Sequence, residues 1–164
     1  MSWTVRTAVE RDHDDVLALN NAAVPHVNAL TAEQFSWLAK RTDYFRVCED
    51  VGGIVGFVFA IAKGSDYWSA NYAWFGERYD TFLYLDRVVV AERERRAGVG
   101  RALYSDLRAF AQGRWPRITL EVNRRPPNPG SLRFHEHMGF REVGERESDD
   151  GAQAVVMMEL PLHN

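Results

Sequence analysis

The sequence predicts an α+β fold of seven strands and four helices in the order βααβββαβαββ, and three observations carry that expectation. Apolar residues recur at period two in several short runs, which is the strand signature, and at 3.6-residue spacing in others, which is the signature of an amphipathic helix. A hairpin is marked by Gly52-Gly53 between two apolar runs. A strand ending in Val88-Val89-Val90 passes through an Arg-Gly turn directly into a helix.

Taken in chain order, Trp3 to Ala8 alternates as the first strand, and Asp12 to Asn20 places Val16, Leu17 and Leu19 in a short helix. A linker from Asn20 to Leu30 follows. Thr31 with Gln34 three residues on is a capping-box pattern opening a second helix through Phe35, Leu38 and Ala39. Tyr44 to Glu49 and Ile54 to Ala60 flank the hairpin turn. Lys63 to Asp80 is longer than a hairpin connection needs and crowded with aromatics, so it is expected as a long functional loop. Thr81 to Val90 is the next strand, and Gly100 to about Ala111 is its helix, with Leu103, Leu107 and Phe110 on one face. A strand from Ile118 to Asn123, a helix from Ser131 to Met138, and strands at Arg141 to Glu147 and Gln153 to Leu160 complete the chain, with Asp149-Asp150-Gly151 as the last turn.

The strand-to-helix junction from Val88 to Tyr104 has the makings of a phosphate cradle. Gly98 and Gly100 lack a Cβ, so the backbone can take positive φ and approach an anion closely. The first amides of the following helix have no intrahelical partner. Those amides and the positive end of the helix dipole favour a pyrophosphate, and Arg95, Arg96 and Arg101 add formal charge. A Walker loop is excluded, because Gly100 is followed by Arg101 and Ala102 rather than Lys and Ser or Thr. A dinucleotide fingerprint is excluded as well, since the glycines stop at Gly100.

The run RRAGVG after VVV resembles the acetyl-CoA signature of the GNAT superfamily of N-acetyltransferases, with Arg95, Gly98 and Gly100 in its three defining places. A second segment agrees in order and spacing. Ile118 to Asn123 is followed by Asn128, a helix carrying Phe134-His135, and a Gly139-Phe140 exit. The resemblance is specific from about Leu83 to Phe140. It implies one domain over residues 1–164, a three-layer α/β/α fold with a mixed, largely antiparallel central sheet, and acetyl transfer from acetyl-CoA to a primary amine in a ternary complex. It further implies that the strand Val88, Val89 and Val90 splays from its neighbour, leaving main-chain groups for the pantetheine arm and an amide as oxyanion donor. The cofactor contacts are then Arg95, Arg96, Ala97, Gly98, Val99, Gly100 and Arg101 for the pyrophosphate, with Asn128, Ser131 and Phe134 beside it. Asn128 follows Pro126-Pro127 and precedes Pro129, so it serves either a turn or the cofactor.

The chain departs from the family pattern where His135 stands in place of the usual tyrosine acid, and an imidazole can take that proton-donating role or a structural one. For the base, alternation puts Asp86 on one face with Tyr84 and Val88, near the thioester, in an ion pair with a nearby arginine, or as an anchor for the substrate ammonium. Glu121 on the adjacent strand is the second candidate. By resemblance the acceptor is covered by the Asn20 to Leu30 linker, with Asn21 and His26, and by the Tyr67 to Phe75 loop, with Tyr84 a further candidate contact; the loop's rings are Tyr67, Trp68, Tyr72, Trp74 and Phe75. These rings would wall a pocket or box an ammonium, or form a dimer surface or a core flap.

The 164 residues suit one domain, and 46% hydrophobic with 26% charged residues is an ordinary globular composition. A net charge of -3 gives no reason to expect nucleic-acid binding. Cys48, the single cysteine, reads as a buried structural thiol. No basic-then-apolar leader and no apolar run of about 18 residues is present, so a cytoplasmic protein without membrane partner, compatible with a homodimer, is expected. Two further functions stay open, a non-catalytic acyl-CoA sensor and a protein N-terminal or lysine acetyltransferase.

Overall fold

The computed structural model describes residues 2–94 and 97–163. Seven strands form a sheet in the order β1-β2-β3-β4-β5-β7-β6, where β1 is Thr4–Thr7, β2 Tyr44–Asp50, β3 Gly53–Ala62, β4 Leu83–Val90, β5 Arg117–Arg125, β6 Arg141–Glu147 and β7 Ala154–Pro161. The β1-β2, β2-β3, β5-β7 and β6-β7 pairs are antiparallel, and β4-β5 is parallel, so the sheet is mixed as expected.

One expectation is corrected. The described residues hold five α-helices rather than four: α1 (His13–Ala22), α2 (Ala32–Ala39), α3 (Ala70–Gly76), α4 (Val99–Ala111) and α5 (Pro129–His137). The extra one, α3, lies inside the aromatic segment read as loop. Ser69 caps it by accepting a hydrogen bond from the Tyr72 amide at 3.2 Å, and Tyr72 and Phe75, one turn apart, supply its buried face. Two turns are too short for a helical period to show in sequence.

The chain divides into two compact units. The first comprises Met1–Ser65 with Leu85–Phe110. Its core is the β2-β3 hairpin, turned at Gly53 (φ +122°), with Val47, Phe57, Val58 and Phe59 fully buried. Leu103 and Leu107 of α4 are fully buried as well. A Cβ on Gly56 would lie 3.1 Å from Val99 and 3.3 Å from Leu103, so glycine there lets α4 seat close on β3. Cys48 is buried and free, and burial pushes its thiol up to about 11, an inert structural thiol.

The second unit comprises Asp66–Tyr84 with Ala111–Asn164. It holds α3, β5, β7, β6, α5 and the first two residues of β4, which pair with β5 as Leu83↔Ile118 and Tyr84↔Thr119. Gly144 of β6 is the seat of Trp74: a Cβ there would come within 2.5 Å of the indole. The outer strand β6 carries charges that pair with β5 residues, Arg124 with Glu142 at 3.3 Å and Glu145 at 3.5 Å, a pattern that blunts a sheet edge. No helix among the described residues is long and apolar enough to cross a membrane.

Candidate active site

At the exit of β4 a short 3-10 turn, Glu92–Glu94, leads toward α4. Arg95 and Arg96 lie outside the described residues. Gly98 has φ +90°, and among the described residues, its chain neighbours aside, no atom lies within 4 Å of an ideal Cβ on it, so the glycine is there for its backbone and not to relieve crowding. Among the described residues the first i to i-4 bond of the helix runs from the Ala102 amide to the Gly98 carbonyl at 3.0 Å. The amides of Val99, Gly100 and Arg101 therefore precede the helical ladder at the positive end of its dipole. Val99 points inward and is fully buried, whereas Arg101 is exposed. Arg93, also in the basic run, is bound to Glu94 at 3.0 Å and to Asp50 at 3.4 Å. Of the strand residues before the turn, Val89 is buried and Val88 and Val90 are half-buried.

Asp86 forms an ion pair with its neighbour Arg87, Nε to Oδ2 at 2.8 Å, with both side chains buried. Of the three readings open for this carboxylate, the arginine pair is the one present in the structure. Arg87 also donates to Oδ1 of Asn20 at 3.0 Å and to the carbonyl of Asn28 at 3.2 Å. Asn20, fully buried, was not among the residues singled out from the sequence, since a buried asparagine in an amphipathic helix has no sequence signature. Asn21 spends both ends of its amide on Leu30, accepting from the amide and donating to the carbonyl at 3.0 Å each. His26 is exposed.

In the second unit, Tyr84 donates from its hydroxyl to Oε1 of Glu121 at 2.5 Å. The parallel register Tyr84↔Thr119 explains the contact, because period-two alternation then puts Glu121 on the same face as Tyr84. Tyr84 is 1% exposed and sits in an aromatic cluster, its ring 5.6 Å from Tyr72, 6.0 Å from Phe75 and 6.5 Å from Tyr67. Trp68 is more than half exposed and packs edge-on against Tyr67 at 5.1 Å. Trp74 turns the other way, onto Gly144, with the Arg78 guanidinium 3.6 Å from its ring.

Helix α5 begins at Asn128, whose Oδ1 accepts from the Ser131 amide at 3.2 Å, with Pro129 in the first helical position. A cap of this kind is worth about 1 kcal/mol. His135 is buried between Phe134 and Phe140, at 5.4 and 5.6 Å. Its Nδ1 lies 2.7 Å from the Ser131 carbonyl, an acceptor only, so Nδ1 carries the hydrogen and Nε2 of the neutral ring is an acceptor. Burial holds the imidazole below its ordinary pKa, partly offset by that hydrogen bond. An acid role would need the imidazolium, which burial disfavours. The linkage has a definite sign. The unfolded chain takes the proton first, so the buried neutral ring contributes stability that is present above pH ~6.5 and lost as pH falls through the depressed folded value. His135→Gln is therefore expected to lose less stability than the parent between pH 7.5 and 5 in urea melts; parallel losses would contradict this.

A model of the acetyltransferase (GNAT) family matches residues 13–140. Among solved structures, the ribosomal-protein-S18-alanine N-acetyltransferase of Escherichia coli is similar at a TM-score of 0.75 and 18% identity, covering 99% of this chain and 96% of its own. Ard1 from Thermoplasma volcanium aligns at 0.76 and 21%, covering both chains completely. Arabidopsis thaliana NAA60, solved with a bisubstrate analogue, aligns at 0.76 and 18%, covering 99% of each chain. No curated protein matches the sequence.

Proposed function

Because the chain belongs to the acetyltransferase (GNAT) family, we propose that it is a cytoplasmic enzyme moving an acetyl group from acetyl-CoA to a primary amine of a small molecule, by direct attack in a ternary complex. The observation that carries this reading is the junction at Gly98: a positive-φ glycine followed at once by the N-terminus of a 13-residue helix. Those residues fit a pyrophosphate. The amides of Val99, Gly100 and Arg101 would hold it, with the Arg101 side chain and, outside the described residues, Arg95 and Arg96 adding charge. Acetyl-CoA supplies the activated acetyl thioester.

The chain's own part is to bind, to orient and to move protons. Main-chain groups of Val88 and Val90 would hold the pantetheine arm. Glu121 is the proposed acceptor of the amine proton, directly or through water, and Tyr84 orients its carboxylate; the 2.5 Å hydrogen bond between them supports that pairing. In the exchange of the carbon to sulfur bond for a nitrogen to carbon bond, Glu121 would take the proton that the amine nitrogen gives up and return it to solvent, and solvent would supply the proton of the departing thiol. Asp86 has Arg87 as its counter-charge and His135 is a neutral ring with Nδ1 engaged, so neither geometry adds support for proton transfer by them.

Incubation with acetyl-CoA and phenethylamine, spermidine or an Ala-initiated peptide, reading thiol release, tests the proposal. Release with a small amine supports it. Release with the peptide alone favours a protein acceptor, the kind named for the similar Escherichia coli enzyme. CoA binding without release in any arm identifies a sensor.

A further inference from the structure

We infer that Arg87 is a positioning residue for the acceptor: it latches the segment 23–30 onto β4 and thereby sets how well an amine is held. The inference rests on the acetyltransferase reading above. The chain of contacts is continuous. Arg87, paired with Asp86 at 2.8 Å, uses one terminal nitrogen for both Oδ1 of Asn20 and the carbonyl of Asn28. Nδ2 of Asn20 donates to the same Asn28 carbonyl at 3.1 Å and to Oδ1 of Asn21 at 3.0 Å. Asn21 then closes on the backbone of Leu30 from both sides. Arg87 thus holds the segment directly at Asn28 and reaches its end at Leu30 through Asn20 and Asn21 of α1.

Burying an ion pair is an expensive way to hold a loop, since its desolvation largely cancels the attraction, and apolar packing would serve stability as well. What a guanidinium adds is direction. Its planar fork fixes partners at set angles, which an ammonium or an aliphatic chain does not. The segment so fixed carries His26 and is held at Leu30 by Asn21 of α1, both of which we assign to the acceptor, and the next residue on the strand is Val88, which we assign to the acyl arm. Arg87 therefore ties the acceptor loop to the strand residue beside the one that would hold the donor.

The test uses the full chain as Arg87→Lys, which keeps the charge beside Asp86 but loses the fork, and as Asn20→Ala, which removes the amide oxygen that accepts from Arg87 and leaves the ion pair. Kinetics are taken with whichever of the three amines the parent acetylates fastest, and amide exchange is followed at Leu30. Both variants are expected to raise the acceptor KM tenfold or more, to keep kcat and the acetyl-CoA KM within threefold, and to speed exchange at Leu30. An unchanged acceptor KM, or equal losses in both KM values and kcat, overturns the latch while leaving the acetyltransferase reading intact. A parent protein that acetylates none of the amines overturns that reading and this inference with it.

Discussion

Gly98→Val is expected to weaken CoA binding at least ~100-fold, equivalent to about 2.7 kcal/mol. The native φ of +90° is one that a β-branched residue adopts only under strain, so the valine would relax the turn toward negative φ and swing the Val99, Gly100 and Arg101 amides away from a common focus. It would also set two methyl groups where a phosphate must approach the backbone. Strain alone costs on the order of 1–3 kcal/mol of stability, which could be mistaken for the effect on the ligand. Gly64→Val is the matched control: Gly64 has φ +107°, lies in the turn after β3 and, among the described residues and its chain neighbours aside, has no atom within 4 Å of an added Cβ. Titration calorimetry with CoA should separate the two, with similar losses of stability but a loss of affinity in Gly98→Val alone. Parental affinity in Gly98→Val would remove the cradle from the mechanism.

Features with a local physical cause were legible in the sequence. Thr31 and Gln34 do form the reciprocal capping pair, with hydrogen bonds of 3.1 and 2.9 Å, because both partners lie within one turn of chain. Gly53 does turn the hairpin at positive φ, and Gly98 does so in the cradle. β6 runs from Arg141 to Glu147 as read, whereas β4 begins at Leu83 and not at Thr81, and β5 extends from Arg117 to Arg125. What stayed hidden depends on register. Alternation assigns Tyr84 and Glu121 each to a face of its own strand but cannot say that the two strands are neighbours, or that Tyr84 stands opposite Thr119 rather than two residues away. The Arg87 network was hidden for the same reason: its members are 59 to 67 residues apart, and asparagine amides carry no periodic signal. The pocket reading of the aromatic segment was ambiguous because rings that wall a pocket and rings that pack a core have the same composition. Tyr72 and Phe75 are buried on the second unit's own cluster, Trp68 is exposed, and Trp74 faces β6.

Glu121→Gln is expected to lower kcat by about 10²- to 10³-fold, within the range for losing one acid-base group, with CoA affinity unchanged. The substitution is close to isosteric. An amide oxygen can still accept the Tyr84 hydroxyl, so the fold and the aromatic cluster should persist while the capacity to take a proton is lost. Tyr84→Phe should fall in between, since it leaves the carboxylate but not its orientation. Asp86→Asn separates this assignment from the other carboxylate. It leaves the buried Arg87 guanidinium without its counter-charge, so its main effect should be a loss of stability on the order of 3 kcal/mol, with turnover of the remaining folded protein reduced far less than in Glu121→Gln. The two variants exchange one oxygen for one NH2 in each case, yet one should lose rate and the other stability, because one carboxylate accepts from a tyrosine hydroxyl and the other pairs with a guanidinium. Parental turnover in Glu121→Gln together with a collapse of rate in folded Asp86→Asn would transfer the base to Asp86.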